Sequence, residues 1–149
     1  MAEVALKRAG GDAARGYRLE HQIGFILRQA SQRHLAIFAG LIPDLTSMQF
    51  AALAKLFELG PVSQNALGRE TAMDAATIKG VVDRLSQRAL LTTRQDRTDR
   101  RRMVVELSPA GAALFARLAE AALQVSDRTL APLSPAERRS LLRLLARLT

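Results

Sequence analysis

Helical periodicity runs through most of this chain and gives way once, at Arg102-Met103-Val104-Val105-Glu106-Leu107. There Met103, Val105 and Leu107 fall on one side of a strand and Arg102 and Glu106 on the other, the period of two that a half-buried strand requires. Leu91 to Arg94 supplies the partner, and the charged loop Gln95 to Arg101 joins the two into a two-stranded β-hairpin. A chain with one short hairpin among helical segments must bury helix against helix, so the fold is mainly α. Trp is absent and aromatics make up 4% of the residues, so the core has to be built from Leu, Ala, Val and Ile. That suits packed helices better than a β-sandwich. A length of 149 residues fits one domain with a real core.

The helices can be read from their periods and caps. Residues 1–16, with Gly10, Gly11 and Gly16, have no periodic apolar pattern and read as a flexible arm. From Tyr17 to about Gly40 the positions Ile23, Leu27, Ala30 and Phe38 recur at helical spacing, and Pro43 marks the break. Thr46-Ser47-Met48-Gln49 has the form of a capping box ahead of a helix through Leu53 and Phe57, which Gly60-Pro61 ends. Ser63 caps a short helix through Leu67. Asp74 caps the next, through Ile78, Val81, Val82 and Leu85, ending near Arg88. After the hairpin, Ser108-Pro109 opens a helix through Leu114, Leu118 and Val125, with Pro132 beyond it. Ser134-Pro135-Ala136-Glu137 opens the last one. Two short helices joined by a tight turn and followed directly by a β-hairpin make a winged helix-turn-helix.

Charge points to the partner. There are 22 Lys and Arg against 14 Asp and Glu, a formal net charge of +8, which favours polyanions, nucleic acid ahead of membrane surface. No cysteine is present, which excludes disulfides, thiolate nucleophiles and Cys-based zinc sites. No apolar run of membrane-spanning length exists and the first residues lack the apolar stretch of a signal peptide, so a cytoplasmic protein is expected. Enzymatic function is not expected. His21 and His34 are too far apart for an i,i+4 metal pair and no Gly-rich phosphate loop occurs, so no cofactor or metal is expected either.

The candidate DNA contacts follow from this frame. The second short helix offers Ala75, Ala76, Thr77 and Gly80, small enough to let it enter a major groove closely. Thr77 can bond a base edge or touch a thymine methyl, Lys79 can reach guanine or phosphate, and Arg84 faces a phosphate. Arg94-Gln95-Asp96-Arg97-Thr98-Asp99-Arg100-Arg101-Arg102 holds five arginines and two aspartates in nine residues. An isolated charge run of this kind is usually a solvated loop. Between two strands and after a helix-turn-helix it reads instead as a wing reaching phosphates or a narrow minor groove. The aspartates are expected to brace neighbouring arginines. Ser63, Ala76, Thr77, Lys79, Gly80, Arg84, Arg94, Arg97, Arg100 and Arg101 are the candidate DNA-binding residues.

Met73-Asp74-Ala75-Ala76-Thr77-Ile78-Lys79-Gly80-Val81-Val82-Asp83-Arg84-Leu85, then Asp96-Arg97-Thr98-Asp99-Arg100-Arg101, then Val105-Glu106-Leu107-Ser108-Pro109-Ala110-Gly111 resembles the signature of the MarR family of bacterial regulators. The resemblance covers about residues 20–149. It implies a two-fold homodimer on a pseudo-palindromic operator of double-stranded DNA, usually as a repressor released by a small molecule. It also implies a division into a helical dimerisation region, residues 17–45 and 108–149, and a DNA-binding lobe, residues 46–107. By residue matching, Thr77, Lys79, Gly80 and Arg84 fall on the groove-facing helix and Arg97, Arg100 and Arg101 on the wing. Two departures stand out: Ala89 replaces a usual glycine, and Arg97 replaces a common proline.

Ligands in this family usually sit between the dimer helices and the DNA-binding lobe. Arg33 and His34 could take a carboxylate or phenol there, with Phe38, Met48 and Phe50 as apolar walls. His34 could equally be a core or interface histidine bonded to a backbone carbonyl. The stretch resembles regulators of aromatic-acid catabolism, which answer to aromatic carboxylates or their coenzyme A thioesters. Arg18, Arg28 and Arg33 could hold a thioester's phosphates or be solvated surface. The competing class is a basic architectural protein that coats DNA without reading it, which would show salt dependence and no specificity ratio.

Overall fold

The computed structural model describes residues 13–149, which divide into two compact units, one running to His34 and one comprising Leu35–Thr149. The arm expected over 1–16 lies outside the described residues as far as residue 12, and residues 13–16 are helical. A 3-10 turn follows at Leu19–His21, and helix α1 spans Ile23–Leu41. This helix starts later than periodicity predicts. Arg18 and Gln22 are both extended, and Gln22 closes the turn between them, its Nε2 donating to the Arg18 carbonyl at 2.9 Å.

The second unit contains α2 (Ser47–Leu59), β1 (Val62–Ser63), α3 (Gln64–Glu70), α4 (Ala75–Gln87), β2 (Leu91–Gln95), β3 (Met103–Leu107), α5 (Pro109–Thr129) and α6 (Pro135–Leu145). Each start is set by a side-chain cap. Thr46 and Gln49 form the reciprocal box on α2, and Ser134 and Glu137 the one on α6. Ser63, Asp74 and Ser108 accept from the amides of Ala66, Thr77 and Gly111. The Ser134 amide holds the Glu137 carboxyl below its ordinary range.

The expected two-stranded hairpin forms and a third strand joins it, giving the order β1-β3-β2, with Val62 opposite Val105 and Ser63 opposite Val104. A two-residue strand is too short to display any period, so sequence alone could not reveal it. Its addition makes β3 the central strand. Val104, which the period of two places with Arg102 and Glu106, is buried beside Val105, whereas Met103 is 39% exposed. The hairpin pairs in the register Leu91 opposite Leu107 through Gln95 opposite Met103, so that Gln95, expected in the loop, belongs to β2.

The core gathers Leu53, Leu56, Leu67, Ile78, Leu85 and Val105, all essentially inaccessible, so that α2, α3, α4 and the central strand converge on one cluster. Burying each such side chain contributes about 1.5–3 kcal/mol. Four of the five phenylalanines form a chain beside it: Phe38 to Phe50 at 6.0 Å, Phe50 to Phe115 at 5.5 Å and Phe115 to Phe57 at 4.8 Å between ring centroids.

Two backbone positions fix how α4 is presented. Ala72, in the turn between α3 and α4, has φ +54°, and Ala89, just past α4, has φ +55°. That is the left-handed region, which costs an L-residue about 1–2 kcal/mol relative to glycine. Ala89→Gly is therefore expected to stabilise the protein by about 1 kcal/mol and raise its Tm by about 2–4 °C in a thermal melt. The converse holds at Gly111, where an added Cβ would lie 2.0 Å from the Leu90 carbonyl oxygen. Gly111→Ala should destabilise by about 3 kcal/mol or more in denaturant titration.

Candidate nucleic-acid interface

The exposed side of α4 follows from its buried one. Ile78, Val81, Val82 and Leu85 hold the helix on the body, so at 3.6 residues per turn Ala76, Gly80, Asp83 and Gln87 form the outermost ridge. A Cβ at Gly80 would meet nothing within 4 Å, so neither packing nor backbone strain explains the glycine. Thr77 is half-buried on one flank of this ridge. Its amide is bound by the Asp74 carboxylate at 2.7 Å, which keeps that carboxyl below its ordinary range. Lys79, on the other flank, pairs with Asp83 at 2.6 Å, a partner the sequence reading did not identify although the i,i+4 spacing is visible in it.

The hairpin tip is ordered, but not by the pairing expected. The Asp96 carboxylate accepts from the Thr98 amide and hydroxyl, both at 2.8 Å, and from the Asp99 amide at 3.4 Å. Asp99 accepts from the Arg101 amide at 3.0 Å. Both aspartates thus brace the loop's own backbone rather than its guanidinium groups. A five-arginine loop would otherwise be opened by its own repulsion, and backbone amides are the nearer donors. The Thr98 amide, with the Thr98 hydroxyl and the charge of Arg102, holds Asp96 below the ordinary carboxylate range.

Seven of the ten candidate DNA residues line one of two hollows. Ser63, Arg94 and Arg97 line a polar hollow of about 690 Å³ together with Pro61, Val62, Asp96 and Arg102. Arg102 was counted in the tip but not singled out. Its backbone closes the loop, with Asp96 donating to its carbonyl and its own amide donating to Asp99, both at 2.9 Å. Arg100 and Arg101 lie exposed in the turn.

Ala76, Thr77, Gly80 and Arg84 instead line an open cleft of about 870 Å³, whose other walls are Leu35, Phe38 and Ala39 of α1, the loop Pro43 to Thr46, and Ser47, Met48 and Gln49 of α2. Arg88 stitches this loop to the end of α4 by donating to the Asp44 carbonyl at 2.8 Å. Of the candidate ligand residues, Phe38 and Met48 are brought together here. Phe50 lies behind Phe38 in the aromatic chain and does not line the cleft. Arg33 and His34 belong to the other compact unit, Arg33 exposed and His34 half-buried. Sequence reading gave Arg84 to phosphate alone; its place in the cleft depends on α1 and α2 packing beside α4, which no local pattern encodes.

The MarR family model matches residues 45–103 of this chain. The transcriptional repressor NicR of Pseudomonas putida is 42% identical over 134 residues, 89% of this chain and 85% of NicR. A probable transcriptional regulator from Pseudomonas aeruginosa superposes with a TM-score of 0.84 at 56% identity, covering 89% of this chain and all of that one. BpsR of Bordetella bronchiseptica, whose DNA binding is regulated by 6-hydroxynicotinic acid, superposes with a TM-score of 0.86 at 40% identity, covering 89% of this chain and 96% of BpsR.

Two substitutions test the interface. Gly80→Ala should raise stability by about 0.5–1 kcal/mol in a denaturant titration while weakening operator binding by about the cost of one misread base pair, roughly 1–3 kcal/mol. Asp96→Ala should speed hydrogen exchange at the Thr98 and Asp99 amides and weaken binding to operator and random duplex alike.

Proposed function

Because this chain belongs to the MarR family of transcriptional regulators, we propose that it is a ligand-released repressor of aromatic-compound catabolic genes, working as a homodimer on a pseudo-palindromic operator in the cytoplasm. In the DNA-bound state the two α4 helices enter successive major grooves, about 34 Å apart, and each wing follows the flanking backbone. Thr77 reads a base edge, and Arg94, Arg97, Arg100 and Arg101 supply phosphate contacts. Exposed apolar residues support the dimer: Ile23, Ile26 and Leu27 on α1, Leu142 and Leu144 on α6, and Leu148 beyond it.

One observation carries the effector reading. Thr77 and Arg84 of the reading helix line the same cleft as Leu35, Phe38 and Met48. A ring held against Phe38 and Met48 would set its carboxylate to the Arg84 guanidinium, a geometry suited to charge-assisted bonding. The occupant would then touch the helix that reads DNA. Arg84 is the cation among the lining residues and Asp44 the acid, so the cleft suits one carboxylate. A coenzyme A thioester would bring several phosphates and would need more positive charge. The likeness to BpsR supports a hydroxylated heteroaromatic acid of the 6-hydroxynicotinic type.

The test is fluorescence anisotropy on DNA from upstream of the chain's own gene, with random duplex as competitor and 6-hydroxynicotinic acid or hydroxybenzoates as titrants. Binding that survives competitor and is released by one of the acids is expected. Met48→Trp should fill the cleft and abolish release while leaving operator affinity within about threefold, a difference under 1 kcal/mol. Release undiminished in that variant would move the effector site away from the cleft, with His34→Ala the next substitution to make. Competition by random duplex as strong as by operator would withdraw the repressor assignment in favour of an architectural DNA-binding protein.

A further inference from the structure

The outermost ridge of α4 carries an acid. Asp83 stands with Ala76, Gly80 and Gln87 opposite the buried set, on the face that meets DNA if the reading above holds, and this inference rests on that reading. An ionised carboxylate there is repelled by phosphate, so a carboxylate at this position calls for an account. Its Oδ2 accepts from Lys79 Nζ at 2.6 Å, and Lys79 is the one lysine of this helix. Stability does not explain the pair. Both side chains are more than half exposed, and lysine lies on the N-terminal side of the acid, the order that the helix dipole disfavours.

Base chemistry does explain it. In the major groove a G·C pair presents two acceptors on guanine beside an amino donor on cytosine. An ammonium and a carboxylate held side by side present the complement, donors to guanine O6 and N7 and an acceptor to cytosine N4. A lone lysine would be drawn to any phosphate. The carboxylate cancels that attraction and holds the ammonium at the groove, over a shallow hollow that Lys79 and Asp83 share with Gln87, Thr93 and Met103. We propose that Asp83 is a specificity-determining residue, pairing with Lys79 to read one G·C pair in each half-site and suppressing the attraction of Lys79 to non-specific DNA.

The experiment begins with duplexes selected from a random pool by the wild-type dimer. Affinity for the best of them and for random duplex is then measured against salt concentration for the wild type, Asp83→Asn, Lys79→Ala and the double variant. Asp83→Asn should strengthen random binding, steepen its salt slope by about 0.9 per protomer, and lower the ratio of selected to random affinity by about tenfold, the cost of one misread base pair. In the Lys79→Ala background the same change should leave that ratio unmoved. Equal strengthening on both DNAs, or no change, would overturn the proposal and leave the regulator reading intact, as would a fall in the ratio that persists without Lys79. Absence of a G·C preference at the base pair that Lys79→Ala relaxes would also overturn it. Failure of the wild-type protein to enrich any duplex would instead remove the regulator reading, and this proposal with it.

Discussion

The geometry of the DNA-facing lobe depends on a junction of four residues past the end of α4. Ser108 Oγ donates to the Ala89 carbonyl at 2.7 Å and accepts from the Gly111 amide at 3.0 Å, while the Ser108 amide donates to the Leu90 carbonyl at 3.1 Å. The absence of a side chain at Gly111 lets the first turn of α5 close onto that carbonyl. One hydroxyl thus ties the exit of the reading helix, the entrance to the wing and the start of α5 into a single unit. A rotation of α5 cannot leave the other two behind. A regulator that must convert a shift in helical scaffold into a shift of its reading heads needs this kind of stiff joint.

Local chemistry made much of this legible in sequence. Every cap expected from Thr46, Ser63, Asp74, Ser108 and Ser134 forms as expected, because a cap needs only residues within one turn of each other. The four buried residues of α4 and the presence of the hairpin were legible for the same reason. What escaped was set by residues distant in sequence. Val62–Ser63 becomes a strand only because β3 lies beside it. At the site, seven of the ten candidate DNA residues separate into a wing hollow and a cleft beside α4, while Lys79, Arg100 and Arg101 line neither. No spacing in the chain announces that division, since the cleft is walled by α1 and α2.

Charge in this molecule is arranged by pairing as much as by quantity. The wing's aspartates hold backbone amides in place, fixing a loop that its own arginines would otherwise open. On α4 the carboxylate of Asp83 faces a lysine rather than an amide. Exposed pairs and loop bonds of this kind add little to global stability. On the reading proposed here, their use lies in limiting where flexible cations can go. A basic protein without such limits binds all DNA well, and in a genome that offers vast numbers of competing sites, affinity without discrimination leaves the operator empty.

The cleft gives that economy a thermodynamic consequence. A ligand shifts DNA affinity only to the extent that it prefers one state of the protein, and a coupling of about 1–3 kcal/mol is typical. Under the proposed reading, Arg84 would supply such a preference without a long pathway. Its one guanidinium cannot satisfy a ligand carboxylate inside the cleft and a DNA phosphate outside it at full strength. An acid held in the cleft as proposed would therefore compete with the operator for the same cation, on the same helix as Thr77. Reciprocity then requires operator DNA to weaken the acid's binding by the same factor. On that reading, displacement of α4 would not be needed for release to begin; helix movement transmitted through the Ser108 junction would add to the competition at Arg84.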